Sequence, residues 1–311
     1  MSSLIDSWLT RRSGFDRTAA ALHPPQIRFV DTVAGSIRVL DSGSTKPCVV
    51  FVPDGPNVIE HYEGLAGLLA RKCRIVCFDM PGFGFSLPSS SYSHSLNQGA
   101  GAVLAVLDSL DIEVATLAFS CGNGFYALRA ARLAPERVSS LFLAQTPSLP
   151  AMHAWVDRVI PWPLKVPVLG QMAAWLFRHK AAHAWYDIAL PKTTDREFLR
   201  RPSRRALSRG ACFCLAGVVQ GLARESAKSL EGVTTPCTMV WGAMDRSHRL
   251  TNAQSLLDCV PHADVVRFED CGHFPDLEQP QRYANLLIDH IVRHASQRIE
   301  PQTGDHRKCA N

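Results

Sequence analysis

Short apolar runs alternate with helical patterns through the first half of the chain. Several runs are apolar without a break, which is typical of strands buried on both faces of a sheet. Eight strands are predicted, at 27–30, 36–40, 48–52, 74–78, 115–119, 138–144, 237–241 and 265–268. Helical patterns at 58–70, 97–110 and 122–134 fall between them. The sequence therefore predicts a mostly parallel, eight-stranded α/β sheet with flanking helices.

The alternation stops between residues 147 and 230, where tryptophans, clustered prolines and helical patterns replace it. Because strands are predicted on both sides of this segment and none within it, we expect a helical cap inserted into the sheet domain. The predicted division is an N-terminal extension over 1–26, a core over 27–147 and 231–296, a cap over 148–230 and a flexible tail over 297–311. One sheet domain with an inserted cap therefore accounts for the length of 311 residues.

Composition narrows the class of protein. Hydrophobic residues make up 46% of the chain and charged residues 20%, so it is globular and not disordered. The 33 basic and 28 acidic residues give a net charge of +5. This bias is too small to indicate nucleic acid, so none is expected as a partner.

The N-terminus and the cysteines bear on the compartment. The first residues lack the basic region, apolar core and cleavage site of a secretory signal. No apolar run approaches the roughly 18 residues that a spanning helix needs. Ten cysteines are spread along the chain without the framework of a small disulfide-rich domain, so we expect thiols and a cytoplasmic location.

Segment 118–124, Ala-Phe-Ser-Cys-Gly-Asn-Gly, lies between a predicted strand and a predicted helix. A serine on such a sharp, strained turn needs small residues two positions before and after it. Ala118 and Gly122 meet that need around Ser120, so the pattern favours Ser120 as a catalytic nucleophile. An ordinary helix-capping serine is the alternative.

The neighbouring thiol fails the same test. At the same offsets Cys121 is flanked by Phe119 and Asn123, both too bulky for the turn, which argues against Cys121 as the nucleophile. Its backbone N–H would instead stand at the start of the helix, where it is expected to face a developing oxyanion.

An acid and a histidine follow the last two predicted strands. Asp245 comes after strand 237–241, and His273 after strand 265–268. The carboxyl ends of parallel strands are where such sheets gather their active sites, and the order Ser, Asp, His is that of α/β hydrolases. Alone, Asp245 is explained as a solvated loop acid and His273 as an ordinary histidine. Together with Ser120 they predict a catalytic triad.

Over nearly all of residues 27–296 the chain resembles the lid-bearing serine hydrolases of the α/β-hydrolase fold superfamily. The matching segments are 53–56, 79–86, the turn at Ser120, 241–245 and 272–275. The resemblance implies an esterase or lipase-like enzyme. It assigns the nucleophile to Ser120, the general base and then acid to His273, and the orientation of the imidazolium to Asp245.

One segment departs from the family pattern. Residues 53–56 are Pro-Asp-Gly-Pro where many members have His-Gly-x-Pro. By this alignment the N–H of Gly55 is the second oxyanion donor, opposite Cys121. A carboxylate at Asp54 would oppose an oxyanion if it points inward, which leaves the reaction open. Hydrolysis of an ester or thioester through an acyl-enzyme is favoured. Carbon–carbon hydrolysis of a diketone, acyl transfer and a non-catalytic, ligand-binding homologue are the alternatives.

The cap suggests the substrate. The candidate pocket residues are Phe119, Trp155, Trp162, Trp185 and Phe274. If they face the site, they favour a small molecule with an apolar acyl group, although packing inside the cap is the commoner use of such residues. No cofactor or metal is expected, since the Cys-Phe-Cys of 212–214 lacks a second ligand pair. We expect a monomer or homodimer.

The first residues form a short amphipathic pattern. Leu4, Ile5, Trp8 and Leu9 are followed by Arg11 and Arg12. Docking within the protein is favoured over peripheral contact with a membrane.

Overall fold

The computed structural model describes residues 2–12, 26–209 and 214–299. Within these ranges nine strands form one sheet, in the order β1-β2-β4-β3-β6-β7-β8-β9, with β5 paired to β2. In chain order they are β1 Ile27–Thr32, β2 Gly35–Asp41, β3 Cys48–Val52, β4 Arg74–Phe78, β5 Leu87–Pro88, β6 Ala115–Phe119, β7 Val138–Ala144, β8 Cys237–Gly242 and β9 Asp264–Phe268. All eight predicted strands are present. The ninth, β5, has two residues, too few to give a hydrophobic pattern.

The sheet is parallel from β4 through β3, β6, β7 and β8 to β9, and antiparallel at β1, β2 and β5. The prediction of a mostly parallel α/β sheet is confirmed. Strands β3 and β6 lie at its centre and every residue of both is buried, which explains their unbroken apolar sequence.

Ten helices flank the described sheet. They are α1 Ser2–Arg12, α2 Glu63–Leu69, α3 Leu96–Ser109, α4 Gly122–Leu133, α5 Leu149–Val159, α6 Leu169–Ala189, α7 Glu197–Arg209, α8 Leu215–Leu222, α9 Pro275–Glu278 and α10 Pro280–Ile299. Short 3-10 turns precede α2 at Ile59–Tyr62 and α6 at Trp162–Lys165.

Two apolar clusters cover the two faces of the sheet. On one face α3 and α4 pack through buried residues such as Val103 and Phe125. On the other face α2 and α10 pack through residues such as Leu69 and Leu287. Helices α5 to α8 all lie between β7 and β8, in the segment 148–230. The described part of this cap segment contains helices and turns and no strand, as its pattern predicted.

Both ends of the chain are partly described. Helix α1 buries one face, with Leu9 and Thr10 inside, and leaves Leu4 and Trp8 exposed. Helix α10 continues to Ile299, so the predicted tail begins inside a helix, and 300–311 lie outside the described residues.

Two further predictions concern thiols and membrane spans. The eight cysteines of the described ranges are free thiols, while 212 and 309 lie outside them. In the same ranges, every helix falls short of the length and apolar character needed to cross a bilayer.

Two glycines of α3 offer a matched test of the packing between α3 and α4. A Cβ on Gly99 would lie 2.1 Å from the ring of Tyr126, whereas a Cβ on Gly101 would meet nothing within 4 Å. We expect Gly99→Ala to lower the free energy of unfolding by about 1–3 kcal/mol through overpacking. Gly101→Ala should raise it by about 0.5–1 kcal/mol, because alanine is the better helix former. Urea denaturation of the two variants measures both, and equal effects would contradict this packing.

Candidate active site

The sharp strand-to-helix turn lies at Cys121 and not at Ser120. Ser120 still pairs with Ala144 as a parallel β-bridge, which prolongs β6 by one residue. Cys121 follows with φ 50° and ψ −125°, and α4 begins at Gly122. A positive φ is uncommon for a residue with a side chain and marks strain at functional turns. The prediction that Ser120 occupies this turn is wrong.

The register of β6 on β7 explains the difference. The Cys121 N–H donates to the carbonyl oxygen of Ala144 at 2.8 Å, so β6 is held to its neighbour up to the turn. A small residue is needed three positions later, at Gly124, where a Cβ would lie 2.1 Å from the Thr146 hydroxyl. Strand pairing, more than the bulk of the flanking residues, therefore sets the position of the turn.

The two bulky neighbours of Cys121 are accommodated elsewhere. The Phe119 ring is fully buried and packs edge-on against Phe78, with centroids 6.4 Å apart. The side-chain nitrogen of Asn123 donates to the carbonyl oxygen of Pro53 at 3.2 Å. Neither side chain obstructs the turn, so the bulk of Phe119 and Asn123 does not exclude Cys121 as a nucleophile.

The backbone N–H groups at the turn also differ from the predicted oxyanion donors. Because the Cys121 N–H is bonded to Ala144, its predicted role as an oxyanion donor is wrong. The next residue, Gly122, begins α4, so its N–H stands at the start of that helix. Gly122 and Gly55 both line the cavity that adjoins the sulfur.

Asp245 and His273 meet as the sequence predicts. The Asp245 Oδ2 lies 2.6 Å from the His273 Nδ1, and both side chains are buried. Asp245 also accepts hydrogen bonds from the Ser247 hydroxyl at 2.7 Å and from the side-chain amide of Gln145 at 2.7 Å. Burial alone would raise the pKa of Asp245, but the charge of His273 and its hydrogen bond lower that pKa to about 2. Asp245 is thus a firmly held carboxylate.

The carboxylate of Asp54 points inward and contacts the other ring nitrogen. Its Oδ2 lies 3.1 Å from the His273 Nε2. The Cys121 Sγ lies within 4.8 Å of both a His273 ring nitrogen and an Asp54 oxygen. Burial opposes a charge on His273, but the neighbouring acids outweigh it and raise the pKa of His273 well above its ordinary value. The imidazolium is therefore held between two carboxylates.

Burial raises the pKa of the Cys121 thiol, the Asp54 charge raises it further, and His273 lowers it. Burial also raises the pKa of Asp54, against its hydrogen bond to His273. In the free protein Cys121 is therefore a neutral thiol, and it lies beside the charged imidazolium of His273.

Aromatic rings fix the orientation of His273. The His248 ring stacks on it with centroids 5.4 Å apart, and Trp155 stacks on His248 at 4.9 Å. Trp185 meets the His273 ring edge-on at 5.0 Å. Burial lowers the pKa of His248 to about 3, so this partner stays neutral. No motif distinguishes His248 from the other histidines, of which the chain has twelve in all.

Three groups of side chains have spacings that a metal ion could use. Two of them contain His273, whose ring nitrogens both contact carboxylates, so hydrogen bonding already accounts for their proximity. The third, Asp6, His94 and Cys214, is buried near the contact between α1 and the cap segment.

A mostly apolar cavity of about 280 Å³ is lined by Cys121 together with Asp54, Gly55 and Gly122. Of the predicted pocket residues, Trp155 and Trp185 line it. Trp162 is instead 68% exposed, and Phe119 and Phe274 are buried in packing against other rings. Ser120 is buried and does not line this cavity, so the structure brings the cavity to the thiol and not to the hydroxyl.

Asp54→Asn tests the electrostatic hold on the thiol. The change keeps the size of the side chain and removes its charge. Because that charge raises the pKa of Cys121, its loss should lower the pKa, and the reactive thiolate should form at lower pH. We expect the pH midpoint of Cys121 alkylation by iodoacetamide, followed by peptide mass spectrometry, to move downward.

The matched control for this shift is Asp276→Asn. Asp276 is also a buried acid, but it bonds to the Tyr62 hydroxyl at 2.6 Å and is not a source of the shift at Cys121. Its variant should leave the midpoint in place. An upward shift or no shift in Asp54→Asn would contradict the arrangement.

The sheet and the acid-histidine pair at its carboxyl edge define an α/β enzyme of the hydrolase class. The model of the alpha/beta hydrolase family matches residues 49–286, and the chain belongs to this family. The resemblance drawn from the sequence motifs is thereby confirmed.

Relatives of several activities are similar to the chain. A 2-hydroxymuconate semialdehyde hydrolase of Pseudomonas sp. (strain CF600) is 25% identical over 268 residues, which cover 84% of this chain and 93% of the relative. A pimeloyl-[acyl-carrier protein] methyl ester esterase of Aeromonas hydrophila is 26% identical over 236 residues, covering 74% and 89%. The solved epoxide hydrolase VrEH1 of Vigna radiata superposes with a TM-score of 0.71 at 18% identity, covering 87% and 99%, and so shares the fold.

Proposed function

We propose that the protein is a cysteine-dependent acyl hydrolase that cleaves an ester or thioester with an apolar acyl part. The observation that carries the proposal is the position of Cys121. It occupies the strained turn after β6, with its sulfur within 4.8 Å of a His273 ring nitrogen and open to the apolar cavity. A thiol beside a histidine that is oriented by a carboxylate is the general arrangement of an activated nucleophile.

Each group at the site has a role in this proposal. The Cys121 sulfur attacks the acyl carbon, His273 transfers protons, and Asp245 orients the imidazole and stabilises its charged form. The N–H groups of Gly55 and Gly122, which flank the sulfur in the cavity wall, are the proposed oxyanion donors. This keeps the predicted donor at Gly55 and moves the second one residue along the chain.

The proposed reaction has two stages. In the first, the sulfur bonds to the acyl carbon while its proton passes to the hydrogen-bonded pair of His273 and Asp54. The imidazolium returns a proton to the leaving oxygen or sulfur, whose bond to carbon breaks, and a thioester on Cys121 remains. In the second, water attacks this thioester, its proton goes to His273, and the acid leaves as the thiol is restored.

The cavity supports an apolar acyl group of moderate size. Its volume of about 280 Å³ is at the lower end of small-molecule pockets. Met152, Val156 and Val219 supply apolar wall, and Trp155 and Trp185 supply aromatic wall. That a relative is named as a methyl ester esterase agrees with an ester as the bond cleaved.

Carbon–carbon hydrolysis of a diketone is the second candidate, and the inward position of Asp54 favours it. A leaving carbon must be protonated as its bond breaks, and a buried acid with a raised pKa beside the nucleophile is suited to supply that proton. The Cys121 sulfur adds to one carbonyl while its proton passes to Asp54. The carbon–carbon bond then breaks to release an enolate that takes this proton, and water hydrolyses the thioester left on Cys121.

The test is a product analysis by mass spectrometry of p-nitrophenyl esters, acyl thioesters and a 1,5-diketone of increasing acyl length. We expect turnover of esters and thioesters to rise from acetyl to medium-chain groups. An acyl adduct on Cys121 should be trapped during turnover, and fragmentation of its peptide, which also contains Ser120, assigns the modified residue. An adduct on Ser120 would contradict the proposal, and turnover of the diketone alone would favour the second candidate.

A further inference from the structure

Exposed large apolar side chains are concentrated in two neighbouring segments of the described residues. Helix α1 and residues 162–177 contribute more than half of the large apolar side chains that are exposed. We call the following set the apolar face: Leu4, Trp8, Trp162, Leu169, Leu176 and Phe177. Trp162 and Leu176 are 68% and 64% exposed. Apolar patches of this kind on a folded protein mark interaction sites.

The periodicity of the two helices makes the face continuous along each. On α6 the exposed positions 169, 172, 176 and 177 follow helical spacing, as do 4 and 8 on α1. The helices are packed together, because Trp175 of α6 packs on the apolar cluster that contains Leu9 of α1, and the Gln171 side chain donates to Asp6 at 3.4 Å. The exposed stripes thus flank a single helix–helix contact.

The charge around the apolar face has one sign. Within 2–12 and 161–184 the basic residues are Arg11, Arg12, Lys165, Arg178 and Lys180. The same ranges hold a single acid, Asp6, which is buried. Lys165 pairs with Asp157 just outside them, in an exposed contact that is weak in water. The face is therefore apolar with a basic border.

We propose that the apolar face docks on a lipid surface that carries anionic headgroups. Apolar side chains buried at the headgroup boundary, tryptophans at the interface and basic residues along the edge are the physical requirements of such docking. A second copy of the chain is a poorer occupant, since self-association would bring two basic borders together. The attachment is peripheral, because each described helix is unsuited to crossing the bilayer.

Helix α6 also connects this face with the cavity. Its outer side carries Leu176 and Phe177, while its next turns contribute Ala181, Ala184 and Trp185 to the cavity wall. Pro161, directly before Trp162, lines the cavity as well. Docking would bring the cavity next to the lipid phase, where molecules with apolar acyl groups concentrate. The docking itself goes beyond the proposed function and does not depend on the chemistry at Cys121.

The experiment is co-sedimentation of the full chain with vesicles of phosphatidylcholine alone or mixed with phosphatidylglycerol. We expect binding to the mixed vesicles, weaker binding to the neutral ones, and release as salt is raised. The double variant Leu176→Ser/Phe177→Ser should lower the partition coefficient by about tenfold or more, since two large apolar groups are lost. The matched control is Leu133→Ser at the end of α4, which is 49% exposed against 51% for Phe177 and should bind like wild type.

Three results would overturn the proposal. One is a wild-type chain that stays in solution with anionic vesicles, and another is a double variant that binds as tightly as wild type. The third is a wild-type dimer that Leu176→Ser/Phe177→Ser converts to a monomer without vesicle binding in either form, which would assign the face to an interface between copies. Loss of ester turnover in Cys121→Ala has no bearing on these outcomes, so the two proposals fail separately.

Discussion

Cys121→Ala is expected to lower kcat/KM for a medium-chain p-nitrophenyl ester by about 10⁴-fold or more, because the variant lacks the atom that attacks. The effect should fall on kcat, while KM changes little, since the apolar cavity that binds the acyl group keeps its shape. Cys121→Ser is an instructive intermediate. It restores a nucleophile, but the proton of the serine hydroxyl must pass to the pair of His273 and Asp54 from a much higher pKa than that of a thiol. Steady-state kinetics of the two variants measures these losses.

Ser120→Ala is the control that distinguishes Ser120 from Cys121 as the nucleophile. Ser120 ends β6 and is buried, away from the cavity lining, so its alanine variant should keep most of the wild-type kcat/KM. Pretreatment with iodoacetamide should inactivate wild type and Ser120→Ala alike. An inactive Ser120→Ala beside an active Cys121→Ala would return the nucleophile to the hydroxyl.

Asp245→Asn is expected to lower kcat by about 10³–10⁴-fold, as loss of the carboxylate in a triad does. Asp245 accepts hydrogen bonds on both oxygens, from Ser247 on one side and from His273 and Gln145 on the other. An asparagine has only one oxygen that can accept hydrogen bonds, and its other side-chain group is an NH2 donor. If its oxygen faces Ser247, its amide faces the His273 Nδ1 and forces the tautomer with the proton on Nε2. The imidazole then cannot take the proton of the nucleophile.

The matched variant for this loss is Asp270→Asn. Asp270 is an exposed acid in the same loop as His273, and its carboxylate pairs with Arg282 at 3.4 Å. Its kcat should stay near the wild-type value. If both variants lost activity to the same extent, the effect of Asp245→Asn would be one of loop structure and not of the His273 tautomer.

The fold followed from the sequence because its central strands β3 and β6 are buried along their whole length. The unbroken apolar run of β3, for example, has few alternatives to a central parallel strand. The pairing of Asp245 with His273 followed as well, since parallel strands β8 and β9 end at one edge of the sheet. The two-residue β5 could not be anticipated, because its pairing with β2 depends on tertiary contacts.

The proposed nucleophile, Cys121, could not be identified from the local sequence in the same way. Two overlapping frames, centred on Ser120 and Cys121, both fit a strand-to-helix turn, and only the hydrogen bond from Cys121 to Ala144 selects between them. That bond lies between residues 23 positions apart. Gly124 was the one local sign, since it stands three positions after Cys121 and packs closely on Thr146.

The direction of the Asp54 side chain could not be predicted from the local sequence either. The sequence placed the 53–56 loop at the carboxyl end of β3, beside the predicted triad. Whether its carboxylate faced water or the site depended on a partner 219 positions away, the His273 Nε2. Such long-range electrostatic contacts are set by the whole fold. The sequence alone therefore does not decide between ester hydrolysis, carbon–carbon hydrolysis and acyl transfer.

The protonation of Cys121 in the free protein bears on how the enzyme withstands oxidants. Peroxides attack thiolates and not thiols, so a sulfur whose pKa is raised by burial and by Asp54 reacts slowly with them. Sulfenic acid should accordingly form more slowly at this site than at cysteine nucleophiles that are kept ionised at rest. Asp54 thereby gives the enzyme chemical durability, at the cost of forming the attacking thiolate anew in each catalytic cycle.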